Sequence, residues 1–126
     1  MSNKILLEKL KMDTKINKKS VKASGVKFFI EKDGKEVARA FLYVMKNDLK
    51  KEPFGLLEDL FVDEQLRGQG VGTELLNMVI TEAKNLGCYK LVATSRYERE
   101  SVHKMYEKNG FKNFGIEFKM YLNPAK

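Results

Sequence analysis

The sequence predicts an α/β domain: a mixed sheet with helices packed on its faces. Three stretches carry that prediction. VKFFIEKDGKEVARAFLYVMKND sets Asp33-Gly34, a tight-turn pair, between two runs rich in β-branched and aromatic residues, which is the pattern of a hairpin. GLLEDLFV, residues 55–62, is apolar along much of its length, as a central strand is. A glycine-rich junction and a helix-periodic run follow it, and YKLVATS then reads as a further strand. A strand–helix–strand unit added to a hairpin makes a mixed sheet.

Taken in order, residues 3–12 hold Ile5, Leu7 and Leu10 and are expected to form a strand. DTKINKKSVKAS, residues 13–24, is polar and expected to be loop. The hairpin comes next, and Asn47-Asp48 and then Pro53 break its second strand. After the central strand, residues 70–86 are expected as a helix. Val71, Leu75, Met78, Val79 and Leu86 lie on its apolar face, and Gly87 ends it. Residues 89–95 are a strand. Residues 99–108 are a second helix, ended by Asn109-Gly110. Residues 111–122, with IEFKMYL alternating, are expected to supply one or two last strands. The expected order is β, β-hairpin, β, α, β, α, β, in one domain over residues 1–126, with residues 1–24 as a lysine-rich leading segment.

Composition narrows the function classes. With 43% hydrophobic and 33% charged residues, the chain reads as globular and soluble. No apolar run reaches membrane-spanning length, so no membrane partner is expected. The N-terminus mixes lysines into a short apolar run and lacks a small-residue cleavage site, which makes a poor signal peptide. A single cysteine, Cys88, excludes an internal disulfide and points to a reducing, cytoplasmic setting. One histidine excludes a His-rich metal site, and no metal is expected. The net charge of +7 raises nucleic acid as a partner. Residues 1–24 alone carry +5, however, and the remaining 102 residues only +2. A solvated, lysine-rich segment accounts for that better than a duplex-binding arm.

RGQGVG, residues 67–72, asks what so much bare backbone is for at a helix start, where glycine costs about 1 kcal/mol against alanine. A helix start leaves N–H groups unpaired and carries the positive end of the helix dipole, so a strand–glycine–helix junction suits an anion, above all phosphate. Gly68, Gly70 and Gly72 lack the Cβ atoms that would hold an anion away. Arg67 can add charge-assisted hydrogen bonds, and Thr73 a hydroxyl. A nucleoside-triphosphate loop needs Gly-Lys-Ser/Thr, but this junction reads Gly70-Val71-Gly72-Thr73. A dinucleotide fingerprint needs G-x-G-x-x-G, and here the third glycine is out of place. A tight turn without a ligand is the competing structural reading.

Arg67, Gly70 and Gly72 after a central strand resemble the Arg/Gln-x-x-Gly-x-Gly/Ala hallmark of the GNAT N-acyltransferase superfamily. SVHKMYEKNGF, with Tyr106, Gly110 and Phe111, is similar to a second signature of that family, in the expected order and spacing. The resemblance covers roughly residues 24–122. It implies a mixed, mostly antiparallel GNAT-like sheet, shortened here in the N-terminal helical region. It implies acetyl-CoA as co-substrate, with its pyrophosphate on the backbone N–H groups of Arg67, Gly68, Gln69, Gly70, Val71 and Gly72, and Thr73 nearby. The pantetheine arm would run along Leu60, Phe61 and Val62.

Acetyl transfer to an amine needs a deprotonated amine, a polarised thioester carbonyl and a protonated leaving thiolate. The resemblance implies that Tyr106 protonates the thiolate. The competing structural reading of Tyr106 is a half-buried ring packing helix on sheet. The resemblance implies that the backbone N–H of Val62 or Phe61 polarises the carbonyl. For the base, Glu58 and Asp59 stand in the apolar central strand, where a charge rarely sits without a purpose. Alternation places them on opposite faces. LEDLFV looks like the small-amine branch of the family, including polyamine acetyltransferases, which ranks Glu58 above Asp59. An ion pair within the sheet is the alternative for either carboxylate.

His103, three residues from Tyr106, is expected to face solvent. Cys88 reads as a small buried residue, and Met105 and Met120 as core. Arg99 stands where many family members have a coenzyme-contacting asparagine, so it reaches either a phosphate or solvent. Many members also devote a helical pair between their first two strands to the acceptor, where this chain has only DTKINKKSVKAS. The acceptor, a small amine, a polyamine or a protein amine, is left open. So is a homodimer through exposed sheet edges. The expected activity is N-acetyl transfer in a ternary complex. A non-catalytic CoA-binding module and a nucleic-acid-binding protein using the N-terminal lysines are the alternatives.

Overall fold

A computed structural model describes residues 15–123. The strand expected at residues 3–12 lies outside the described residues. Four strands form one sheet in sequence order: β1 (Lys22–Lys32), β2 (Lys35–Lys46), β3 (Phe54–Val62) and β4 (Leu91–Ala93). The first three are antiparallel, and β4 runs parallel to β3. A short 3-10 turn (Glu64–Leu66) leads from β3 to α1 (Val71–Asn85), and α2 (Glu100–Lys108) follows β4. The fold class is therefore the expected one, mixed and mostly antiparallel.

The β1–β2 hairpin closes on two residues. Asp33 and Gly34 both take positive φ, 54° and 77°, and Lys32 faces Lys35 across the turn. That backbone twist matches the twist of the flanking strands. β1 begins at Lys22, so the last three residues of the expected loop are strand. Pairing with a partner strand outweighs the polarity that suggested loop.

The core lies between the sheet and α1. Ala38, Ala40 and Leu42 of β2 and Leu57 of β3 meet Leu75, Leu76, Val79 and Ala83 of α1. The small Ala38 and Ala40 let the helix approach, and Leu42, Leu76 and Val79 are fully buried. Each such side chain contributes about 1.5–3 kcal/mol by leaving water. The expected apolar face of α1 is rotated slightly. Met78 and Leu86 are 46% and 44% exposed, while Leu76 and Ala83 fill the core.

The C-terminal strands are not formed. Residues 111–122 carry no strand, and Met120, expected in the core, is 80% exposed. Alternation gives a segment a strand-like face, but a strand exists only where another edge pairs with it. Among the described residues no edge does. No described helix is long and apolar enough to cross a membrane.

Candidate functional site

The site grows out of an irregularity in β3. Phe41 faces Glu58 and Arg39 faces Phe61, so two residues, Asp59 and Leu60, stand opposite Ala40. This is a β-bulge, and Asp59 takes φ 51°, a left-handed backbone rare for a residue with a side chain. The extra residue reverses the alternation. Leu57 faces α1 before the bulge; Leu60 and Val62 pack on the same core after it. Glu58 therefore lies on the face opposite α1, whereas Asp59 is exposed at the bulge itself. Simple alternation of the two carboxylates does not hold, because the bulge intervenes between them.

The bulge also sets which backbone groups are free. Gly55 N–H donates to Lys90 C=O at 3.0 Å, so the early edge of β3 is covered by β4. That pairing stops at Leu57, opposite Ala93. Farther along, Asp63 N–H donates to Val37 C=O at 2.8 Å, toward β2. Backbone direction alternates along a strand, so Phe61 N–H also points toward β2, and Leu60 and Val62 point away from it. Leu60 and Val62 thus continue the β4-side edge past the end of β4, as an open slot. Of the two donors expected to face a thioester carbonyl, Val62 is aimed into the slot and Phe61 is not.

The loop at residues 67–72 closes one end of this slot. Gly68 and Gly70 take φ 78° and 82°, which explains glycine at both positions. A Cβ at either would meet nothing within 4 Å, so the space beside them is open. Gly72 differs: its Cβ direction points at Met105 Sδ and Val62 Cγ2, 3.6 and 3.7 Å away, into protein rather than toward a ligand. The first bond at the start of α1 runs from Glu74 N–H to Gly70 C=O, and among the described residues no side chain caps that end. The N–H groups of Val71, Gly72 and Thr73 precede that bond and are left for an external acceptor. Alternating left-handed glycines ahead of a bare helix start form a concavity of N–H groups suited to a phosphate-sized anion. Arg67 N–H is already taken by Glu64 C=O, and its side-chain Nε donates to Val62 C=O at 3.1 Å, tying the loop to the strand end. Gln69 Nε2 donates to Gln65 C=O, and Thr73 is exposed in the first turn.

Tyr106 enters from α2. Its ring packs on Phe111, with centroids 5.3 Å apart, and against the core. Burial raises its pKa above the usual value, the Arg99 guanidinium lowers it, and the Glu58 carboxylate raises it further. The phenol is thus a neutral donor near neutral pH, within electrostatic reach of both Glu58 and Arg99. Arg99 occupies the N-terminal cap of α2. Its backbone C=O accepts from Val102 and His103.

His103 does not simply face solvent. It is half-buried, and its Nε2 donates to Arg96 C=O at 2.8 Å, so that nitrogen is committed. Cys88 is part-buried and burial raises its thiol pKa, the opposite of an activated nucleophile. Among the described residues no group of His, Cys, Asp and Glu side chains could hold a metal ion.

Two features escape a reading of the sequence. On the face opposite α1, Arg39 lies over the Phe61 ring at 4.8 Å, and Phe41 stacks on Tyr43 with centroids 6.1 Å apart, beside Glu58. Alternation in β2 assigns these residues to one face, but nothing in the sequence says that this face adjoins the slot. Ser95, two residues beyond β4, has a buried hydroxyl with no hydrogen-bond partner among the described residues. A groove of about 510 Å³ runs beside α1 and Phe28 and reaches Gly70 and Thr73 of the loop, but touches neither Tyr106 nor Glu58.

Comparison with known proteins agrees with this arrangement. The chain is 29% identical over 94 residues to glucosamine 6-phosphate N-acetyltransferase of Arabidopsis thaliana, covering 74% of this chain and 61% of that protein. It is 33% identical over 81 residues to aminoglycoside N(6')-acetyltransferase type 1 of Stenotrophomonas maltophilia, covering 63% of this chain and 53% of the relative. The chain thus spans less than two thirds of these relatives' length. The crystal structure of the Arabidopsis thaliana enzyme superposes with a TM-score of 0.69 at 28% identity, over 79% of this chain and 67% of that one. The model of the Acetyltransferase (GNAT) family matches residues 6–111, and this chain belongs to that family.

Proposed function

We propose that the protein is an acetyl-CoA-dependent N-acetyltransferase acting on a primary amine by direct transfer. The observation that carries this reading is the open edge of β3 from Leu60 to Val62, ending beside two left-handed glycines and a bare helix start. The coenzyme, when bound, supplies the acetyl group as a thioester. The N–H groups from Gly68 to Thr73 would hold its pyrophosphate, and the outward N–H and C=O of Leu60 would pair with its extended arm, Val62 C=O being taken by Arg67 Nε. Val62 N–H would then face the carbonyl that gains negative charge. Tyr106 keeps its proton because burial and Glu58 oppose ionisation, and it donates that proton to the leaving sulfur. Glu58 draws a cationic amine and takes its proton through water. Asp59 is exposed and serves mainly to hold the bulge.

The acceptor side is the open aromatic face around Phe41, Tyr43 and Glu58. The relatives are named for glucosamine 6-phosphate and for aminoglycosides, so these two acceptor classes are the first to try, with polyamines beside them. The test is thiol release from acetyl-CoA across that panel plus a peptide N-terminus. At least one amine should release thiol with the wild type. Tyr106→Phe should bind acetyl-CoA normally and lose most of that release. Turnover unchanged in Tyr106→Phe at neutral and high pH would remove Tyr106 as the acid.

A further inference from the structure

We propose, resting on the acyl-transfer reading, that the acceptor is a primary monoamine carrying one anionic group on a flat apolar body. Its ammonium would lie at Glu58 and its anion, a carboxylate or a phosphate, at Arg39. The sheet face opposite α1 is ordered in rows across β1, β2 and β3. Phe29, Arg39 and Phe61 face one another in one row, and Lys27, Phe41 and Glu58 in the next. Gly25, Tyr43 and Leu56 make a third. The Tyr43 ring lies across Gly25, where a Cβ would come within 3.0 Å of it, and it stacks parallel to Phe41. Phe29 and Tyr43 are 50% and 41% exposed. The face is an aromatic floor, which suits a flat or apolar molecule.

The charges on this floor do not balance row by row. Glu36 is shared by two cations: Lys27 Nζ bonds one carboxylate oxygen, and Arg39 Nη1 approaches the other at 3.4 Å. Lys27, and then Arg39, hold the Glu36 carboxyl below its ordinary pKa, so it stays ionised between them. One carboxylate between two cations leaves one positive charge over. Arg39 lies over the Phe61 ring, and its long bond to Glu36 engages one of five N–H donors. The other four have no hydrogen-bond partner among the described residues. Glu58, in the next row, has no ion-pair partner among the described residues, and its charge acts on Tyr106. Asp59 stands in the bulge opposite Ala40 and belongs to neither row. Arg39 and Phe41 are two positions apart in β2, which sets the rows about 7 Å apart along the strand. A negative site beside the slot and a positive site one row away match an amine with an anionic far end. A guanidinium held on a ring takes a carboxylate or phosphate through paired N–H groups. A polycation fits worse: with one ammonium at Glu58, a second falls beside Arg39 and Lys27, where Glu36 is already shared. Such like-charge contacts discriminate by repulsion, and they set aminoglycosides and polyamines behind the zwitterionic amine.

The test compares kcat/KM at saturating acetyl-CoA for amines of one skeleton: phenethylamine, its para-carboxylate, its para-aminomethyl derivative and tyramine O-phosphate. At least one anionic amine should exceed the para-aminomethyl dication by about tenfold, the value of one charge-assisted hydrogen bond, and the better of the two names the anion. Arg39→Gln should bring that ratio to about one. Arg39→Lys, which keeps the charge, should retain part of it, a split that a merely structural arginine would not give. Far-UV circular dichroism checks that both variants keep the fold. Acetylation without preference, preference for the dication, or a wild-type ratio in Arg39→Gln would overturn the inference and leave the acyl-transfer reading standing. Binding of the same amines to the protein saturated with coenzyme A, by ligand-observed NMR, separates the two. If no amine is acetylated but the anionic amines bind more tightly than the dication, the acyl-transfer reading falls and the charge pattern stands. Neither acetylation nor binding would overturn both.

Discussion

The two halves of β3 belong to one strand and do different work. From Gly55 to Leu57 the strand is paired on both sides, with Gly55 and Leu57 buried. From Glu58 to Val62, among the described residues, it is paired only with β2, kinked by a left-handed Asp59, and open on the other side. The first half holds the sheet together. The second leaves backbone groups free beside a helix start whose N–H groups are also free. Backbone hydrogen bonding is an obligatory demand, so a region that leaves it unmet inside a sheet is a place for another molecule to meet it.

The largest expected effect falls on the closed half. Leu57→Ala should cost about 2–5 kcal/mol of folding stability in a denaturant titration. Leu60→Ala, in the open and less buried half, should cost clearly less, and equal costs would erase the distinction. The open half should show its effects in kinetics instead. Tyr106→Phe should lower turnover by about 10²-fold with acetyl-CoA affinity unchanged. Glu58→Gln should lower turnover about tenfold at neutral pH, roughly the value of one charge-assisted hydrogen bond, with stability little altered.

The smallest effect concerns pH. An acid must be protonated to act, and Tyr106 has a raised pKa, so activity should persist until pH exceeds the ordinary tyrosine value of about 10. Arg99 lowers that pKa, so Arg99→Gln should shift the alkaline loss of activity to still higher pH. A downward shift would show that Arg99 acts on something other than Tyr106.

Much of this was legible in the sequence, for identifiable reasons. Asp33-Gly34 announces a hairpin because only a few residues take two successive positive φ values. The glycines of the loop announce a helix start with exposed backbone. What the sequence hides is whatever depends on pairing. Glu58-Asp59 looks like ordinary alternation, and only the facing positions of β2 reveal the bulge. Met78 fits the apolar period of α1 as well as Leu76 does, and the small Ala38 and Ala40 across the interface decide which one is buried. Gly72 reads like Gly70, yet one packs on Met105 and the other turns the chain. Residues 111–122 carry a strand's pattern without a strand, because the pattern does not say where the partner edge is.

The most direct test of the central claim is calorimetric titration of acetyl-CoA into the wild type and into two variants of one residue. Gly70→Asp and Gly70→Asn both force a side chain onto a left-handed backbone, a strain of about 1 kcal/mol, but only the first places a negative charge there. The account predicts micromolar binding by the wild type, none by Gly70→Asp, and intermediate affinity for Gly70→Asn. Absence of binding by the wild type, or equal binding by all three, would contradict it and leave RGQGVG as a turn.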